Sequence, residues 1–475
     1  MTLPLHLPMT INGVDAEAAA TISVVNPATG DVLGTVPDAG EAELDAAIAA
    51  ARAAFPAWSR LPYAERQAKV AAVGQVITDN AAELIRLLTQ EQGKPVGQAE
   101  MEIGGAAQWA PAIASYEIPV EVLEDTPEHR VETRHVPIGV VGAISPWNFP
   151  VMLSVWKIAP ALLAGNTMVL KPSPFTPFAV LRLAQLLRGV LPDGVLNVIT
   201  GGDALGPLMT RHPGFDKISF TGSTATGRQV MASAAPTLKR VTLELGGNDA
   251  AIVLPDVDVP STAEALFWSS FGNSGQICVA TKRAYIHEDI YEPMKAALAA
   301  VAAAVPMGPA SEQGSVLGPV QNKQQFQRVQ GLIADCEANG YDLIRAGSAP
   351  TGNGYFVPVT FVDNPPETSR IVQEEQFGPV LPLLKFRDID DVIDRANASD
   401  YGLAGSVWSD DEELALSIAD RLETGTVWIN EAQALTPFTV FGGHKQSGLG
   451  RENGLAGLLE FTNSKTVTIK RKPKK

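Results

Sequence analysis

At 475 residues the chain exceeds what one ordinary hydrophobic core organises, so two or three domains are expected. Its balance of 45% hydrophobic and 19% charged residues is that of a globular protein and excludes intrinsic disorder. A formal net charge of −16 argues against nucleic acid and anionic membrane as general partners, and two cysteines, Cys278 and Cys336, are too few for a disulfide framework and point to a reducing compartment.

The opening Met1-Thr-Leu-Pro-Leu-His-Leu-Pro8 lacks a positive region and carries two prolines, so it does not read as a secretory signal. No apolar stretch reaches bilayer length; the run 151–163 is too short and contains Lys157 and Pro160. A cytoplasmic protein is expected. Alanine-rich amphipathic helices are predicted over 40–55 and 64–92, where Leu, Ile and Val recur at helical spacing. From about residue 139, short β-branched runs at 139–144, 167–170, 196–199 and 217–220 alternate with helical segments at 152–164, 177–190, 203–211 and 225–234. That alternation predicts a parallel, doubly wound α/β sheet. The strand-like 241–245 ends in Gly246-Gly247, which marks a border. A second series follows, with strands at 250–254, 283–287, 380–386, 404–408 and 425–429 and helices at 260–270, 289–304, 324–338 and 411–422. Outside both series lie 128–136 and 465–470, alternating and partly polar, which seek an edge that another subunit could supply. The basic end 470–475 reads as a solvated tail, with a localisation signal as the alternative.

Chemistry concentrates at strand ends. Cys278 closes the run Phe271-Gly-Asn-Ser-Gly-Gln-Ile-Cys278, whose small polar residues allow a ligand to approach the sulfur, although free Cys also serves as a small buried hydrophobe. A reactive thiol needs an oxyanion stabiliser and a base. In Pro146-Trp-Asn-Phe-Pro150 the prolines fix the backbone around Asn148, whose amide suits the first role or caps the next helix. Glu244, ending a strand beside two glycines, suits the second or is simply solvated. Phe220-Thr-Gly-Ser-Thr-Ala-Thr-Gly227 opens a helix N-terminus as a pyrophosphate site would, but lacks the Gly-x-Gly-x-x-Gly fingerprint and also fits a plain βα turn. Lys171-Pro-Ser-Pro-Phe-Thr-Pro177 places a cation near the same sheet edge, facing ribose hydroxyls or solvent. No cluster reads as a metal site.

Together these motifs resemble the aldehyde dehydrogenase superfamily over nearly the whole chain. The resemblance rests on Pro146-Trp-Asn-Phe-Pro150, Lys171-Pro-Ser173, Phe220-Thr-Gly-Ser223, Leu243-Glu-Leu-Gly-Gly247, Asn273-Ser-Gly-Gln-Ile-Cys278, Glu374-Glu-Gln-Phe-Gly-Pro379 and Phe441-Gly-Gly-His-Lys-Gln-Ser-Gly448, in the family's order. It implies a Rossmann-like cofactor-binding domain (1–118 and 138–246), a catalytic domain (247–461) and a β arm (119–137 and 462–475) that joins subunits into a homodimer or homotetramer. The implied reaction oxidises a small-molecule aldehyde to the acid with NAD or NADP and water, through a cysteine thiohemiacetal and thioester. Cys278 would be the nucleophile, Asn148 with the Cys278 N–H the oxyanion hole, and Glu244 the activator of water. Lys171 would bind the adenosine ribose beside Ser173 and Pro174, and Ser223 with Gly222 the pyrophosphate. Trp147 and Gly246 would line the cofactor cleft, and Glu375 and Phe377 would position the nicotinamide ribose and ring.

Four departures qualify this inheritance. Pro174 stands where many NAD-preferring members carry a glutamate, which leaves cofactor choice open. Gly272 stands where a second aromatic is common and is expected to widen the substrate tunnel; Val440 replaces a frequent proline, and Asn248 a frequent lysine. The implied substrate pocket draws on Phe149, Leu153, Trp156, Phe271, Gly272, Ile277, Val279, Leu435 and Phe438, none of them an arginine, which favours neutral aliphatic or aromatic aldehydes. The competing readings are an enzyme that passes the acyl group to coenzyme A, disfavoured by Glu244, and a non-catalytic protein on the same scaffold.

Overall fold

The computed structural model describes residues 5–472, so the first four and the last three residues, including the end of the basic tail, lie outside it. Two large mixed α/β sheets organise the described chain. The first has eight strands, in the order Gly448–Leu449, Arg240–Glu244, Lys217–Thr221, Val140–Ile144, Thr167–Lys171, Leu196–Val198, Met9–Ile11, Val14–Ala16. The five strands from Arg240–Glu244 to Leu196–Val198 are parallel, and antiparallel strands finish both edges. Winding proceeds outward in opposite directions from the neighbours Val140–Ile144 and Lys217–Thr221, so the chain leaves a crevice beyond their carboxyl ends. The second sheet has seven strands, and its order centres on Thr281–His287 and Asp249–Val253, which pair in parallel.

Most predicted elements stand within a few residues of their expected places. The expected helix 64–92 is two, Tyr63–Asp79 and Ala81–Gln92, because Asn80 leaves helical geometry and turns its amide back onto the Val76 carbonyl at 2.8 Å. The expected helix 177–190 stops at Leu186. The helix Val96–Ala114, the N-terminal strands, the strands Leu343–Ala346 and Val359–Asp363 and the helix Ile389–Asn397 were not legible in the sequence pattern. The edge sought by 128–136 comes from the chain itself: His129–Pro137 pairs antiparallel with Thr462–Lys470 through nine residue pairs and with Glu121–Asp125 on its other side.

Helix Val96–Ala114 matters most for the site, because it packs against Pro150–Leu163, the helix that follows Asn148. Pro150 opens that second helix at a position where a missing N–H costs nothing. Among the described residues no helix is long and apolar enough to cross a membrane.

Candidate active site

The carboxyl ends of the first sheet face the amino ends of the second. Across this gap a cavity of about 340 Å³ is lined by Trp147, Asn148, Gly222, Ser223, Gly246, Cys278, Glu375 and Phe377, among others. With Leu153, which also lines it, nine residues nominated from sequence therefore meet around one space.

Cys278 follows a tight turn in which Asn273 and Ser274 adopt left-handed φ values of 49° and 55°. Those strained positions are held by side chains: Ser274 Oγ donates to the Gly318 carbonyl at 2.7 Å, and Gln276 Nε2 to the Asn273 carbonyl at 2.8 Å. The Cys278 thiol is pushed up to about 12, first by burial and then by the carboxylates of Asp249, Glu244 and Glu375, with Lys282 acting the other way. At neutral pH it is protonated. Lys282, buried on the strand Thr281–His287, donates to the carbonyls of Cys278 (2.6 Å), Ile277 (3.0 Å) and Ala280 (3.3 Å).

Asn148 Nδ2 donates to the Gln276 carbonyl at 2.9 Å, which ties it to the cysteine loop. Its own backbone carbonyl accepts from Lys94 Nζ at 2.9 Å and Asn273 Nδ2 at 3.1 Å. Lys94 is paired at 2.6 Å with Glu102, and both side chains are fully buried. The other Glu102 oxygen accepts the N–H groups of Val151 and Met152 at 2.9 and 3.2 Å, in the first turn of Pro150–Leu163. A buried ion pair thus clamps the 146–150 loop from both sides.

Glu244 is buried, and neither carboxylate oxygen meets a protein hydrogen-bond donor. Burial and the nearby Glu452 raise it well above the carboxylate range, against Lys157 and Arg451. Lys157 itself is paired with Glu452 at 2.6 Å. Beside Glu244, close approach requires the two glycines. A Cβ at Gly246 would lie 2.4 Å from Glu375 Oε2, and one at Gly247 would lie 2.7 Å from the Cys278 carbonyl. Glu375 accepts from the Gly247 N–H at 3.0 Å, and Phe377 meets Trp147 edge-on at 5.3 Å.

A second cavity of about 340 Å³ extends between the helices Leu205–Arg211 and Thr224–Ala234, with Lys171, Asp203, Ile144, Phe220 and Gln229 in its wall. Lys171 is 5% exposed, and burial lowers its ammonium to about 8 against the pull of Asp203 and Asp38. Asp38 also accepts the Gly202 N–H at 2.9 Å, which sets the turn that carries Asp203. Ser223 caps the helix Thr224–Ala234, its Oγ accepting from Thr226 N at 3.2 Å. Ser173 and Pro174 line neither cavity; Ser173 Oγ instead accepts from the Phe175 N–H at 3.3 Å. The buried ammonium, the capped helix N-terminus and the two cavities fit a dinucleotide, with its anionic middle at the helix end.

A family model described as "Aldehyde dehydrogenase family" matches residues 14–467. The chain belongs to the aldehyde dehydrogenase family. It is 41% identical over 485 residues to a phenylacetaldehyde dehydrogenase of Pseudomonas fluorescens, covering 98% of this chain and 96% of that protein. Among solved structures, the NAD+ complex of an aldehyde dehydrogenase from Bacillus cereus superposes with a TM-score of 0.96 at 37% identity, covering 98% of this chain and 97% of the other. An E. coli NADP dependent enzyme superposes with a TM-score of 0.95 at 37% identity, covering 98% of both chains. As a member of the family, the protein is an NAD- or NADP-dependent oxidoreductase that converts an aldehyde to the carboxylic acid.

In this aldehyde dehydrogenase, Phe149, Leu153, Trp156, Ile277, Val279 and Leu435 belong with Cys278 to one large apolar core, and Leu153 also lines the cavity that holds the thiol. The cluster also holds Trp109, Trp428 and Phe441, which sequence reasoning missed. Trp156 stacks on Trp109 with ring centroids 4.9 Å apart and meets Phe441 edge-on at 5.7 Å.

Phe271 is a correction. It packs into the second sheet's core against Phe267 and Phe361, because its place on the helix Val259–Phe271 turns it away from the cleft. Phe438 is 60% exposed, 6.0 Å from the Tyr116 ring, and sits on the surface. At Gly272 a Cβ would meet Ile277 Cδ1 at 3.4 Å, an ordinary van der Waals contact. Val440 is half exposed. Asn248 ties its loop to the Val372 carbonyl at 2.8 Å. Lys94, Glu102, Glu452 and Lys282 escaped sequence reasoning, and Lys157 was noticed only as a charge interrupting an apolar run.

Proposed function

We propose that the protein is a hydrolytic aldehyde dehydrogenase in which Cys278 attacks the aldehyde, Asn148 Nδ2 and the Cys278 N–H hold the oxyanion, and Glu244 activates water. Cys278 Sγ adds to the carbonyl carbon as the C=O π bond opens onto oxygen, and the thiol proton passes to water. NAD or NADP, when bound, accepts the hydride lost from that carbon. The thioester left on Cys278 is then attacked by water whose proton passes to Glu244, and the acid departs as the C–S bond breaks. Lys171 would hold the adenosine ribose, Ser223 and Gly222 the pyrophosphate, and Glu375, Phe377, Trp147 and Gly246 the nicotinamide end.

The observation that carries this reading is the pair of buried Glu244 oxygens without protein donors, close enough to Cys278 to act on its thiol electrostatically. A buried carboxylate left unsatisfied by the fold is costly, and a water held for chemistry satisfies it. The apolar side chains of Trp147, Leu153 and Phe377, which line the cavity with Cys278, support a neutral aldehyde, in keeping with the aromatic substrate in the name of the Pseudomonas fluorescens relative. Segments 1–118 and 138–246 form the cofactor-binding domain in this reading, 247–461 the catalytic domain, and 119–137 with 462–475 an arm that pairs subunits into a homodimer or homotetramer. The wholly exposed strand Glu121–Asp125 supports such pairing. Two free cysteines support a reducing, cytoplasmic setting.

The test is turnover of Cys278→Ala and Cys336→Ala with neutral aldehydes. Loss in the first alone is expected, and full activity in Cys278→Ala would overturn the assignment.

A further inference from the structure

We propose that Lys282 is the positioning residue of the nucleophile turn, its buried ammonium clamping residues 277–280 and coupling that turn to Glu375. The proposal deepens the nucleophile reading of Cys278 and rests on it.

A lysine ammonium has three protons to donate. Here three carbonyls of one short turn, Ile277, Cys278 and Ala280, lie 3.0, 2.6 and 3.3 Å from Nζ. The side chain is 3% exposed, and its one carboxylate neighbour within ion-pair range among the described residues is Glu375, at 3.6 Å. The same turn leaves no slack elsewhere. A Cβ at Gly247 would lie 2.7 Å from the Cys278 carbonyl, and Asn148 Nδ2 holds the Gln276 carbonyl at 2.9 Å. Lys282 therefore fixes the Cys278 backbone at the point where its N–H must share an oxyanion with the Asn148 amide.

Charge is the second half of the device. Three carboxyl groups from three other segments act electrostatically on the thiol: Glu244 at the end of Arg240–Glu244, Asp249 at the start of Asp249–Val253, and Glu375, which lines the same cavity, before Val380–Phe386. Each disfavours the thiolate, and Lys282 is the cation that works against them. One Asp249 oxygen is buried without a donor, so no other bond blunts its field there. A buried lysine retained merely for packing would not need the three-carbonyl geometry.

The experiment is the pH dependence of iodoacetamide alkylation at Cys278 in the full-length protein, read by mass spectrometry of the Cys278 peptide, with the Cys336 peptide as internal control. Lys282→Met removes both contacts and charge. Lys282→Gln removes the charge but keeps two N–H donors on a shorter side chain, and it serves if the methionine variant folds poorly. At each neutral to mildly alkaline pH both are expected to slow alkylation by about ten- to hundredfold, the usual effect of losing a nearby opposite charge. Glu375→Gln is expected to speed it. Unchanged rates in the Lys282 variants, or a slowing in Glu375→Gln, would overturn the proposal. Because alkylation needs no turnover, that failure is distinct from failure of the nucleophile assignment, which full activity in Cys278→Ala would signal.

Discussion

Breaking the Lys94–Glu102 pair separates what holds Asn148 from what Asn148 does. Lys94→Met leaves the Glu102 carboxylate in a fully buried place, still accepting two helix N–H groups but without its cation, and frees the Asn148 carbonyl of its 2.9 Å donor. Removing one partner of a buried pair costs about 3–5 kcal/mol. Glu102→Leu on its own strands the ammonium and orphans the Val151 and Met152 N–H groups, so its cost is at least as large. The double variant Lys94→Met/Glu102→Leu removes both charges and keeps only the orphaned N–H penalty, about 1–3 kcal/mol for each group. Its cost is therefore less than the sum of the singles, a coupling that a double-mutant cycle reads directly. Urea unfolding gives the stability arm. The rate of the first-turnover burst of reduced cofactor gives the functional arm, where a shift of the Asn148 amide by about 1 Å slows the burst about a hundredfold. Wild-type urea midpoint and burst rate in Lys94→Met, or strict additivity in the cycle, would refute the clamp.

Asn148→Ala, which removes the amide and leaves the clamp, is expected to slow the hydride-forming half about 10²–10³-fold, with an unchanged burst as the contrary result. At the adenosine end, Asp203 lines the cavity and Pro174 does not, so Asp203→Asn is expected to raise kcat/KM for NADP relative to NAD by more than Pro174→Glu lowers it; an unmoved ratio in Asp203→Asn would place the ribose elsewhere. Glu244 sits above the carboxylate range because of burial and Glu452, so it carries its proton at low pH and deacylation rises with pH as that proton is lost. Glu452→Gln removes a like charge, and the pH midpoint of deacylation is expected to move down; an upward move in a stopped-flow pH series would contradict the electrostatics.

The sheets were legible because parallel strands buried on both faces appear as short β-branched runs between helical segments, and because Asn148, Ser223 and Glu244 each follow or end such a strand beside Pro or Gly. What sequence concealed are charges whose meaning lies in a distant partner. Lys157 and Glu452 are 295 positions apart, and nothing local marks either as half of a buried pair. Lys94 lies only eight positions from Glu102, but the helix that carries Glu102 was itself missed, since Gly104, Gly105 and Pro111 dilute its helical signal. Phe271 misled because the family resemblance carried it into the pocket, while its helix phase sends the ring into the core. The strand at 129–137 announced that it needed an edge but not that residues 462–470 supply it.

The central claim is that one thiol carries the acyl group and Glu244 releases it. The most direct measurement is single-turnover mass spectrometry of Glu244→Gln with cofactor and a neutral aldehyde. The account predicts about one equivalent of reduced cofactor in a burst and an acyl adduct confined to the Cys278 peptide, hydrolysing slowly. An adduct on Cys336, no burst, or deacylation as fast as in wild type would contradict it.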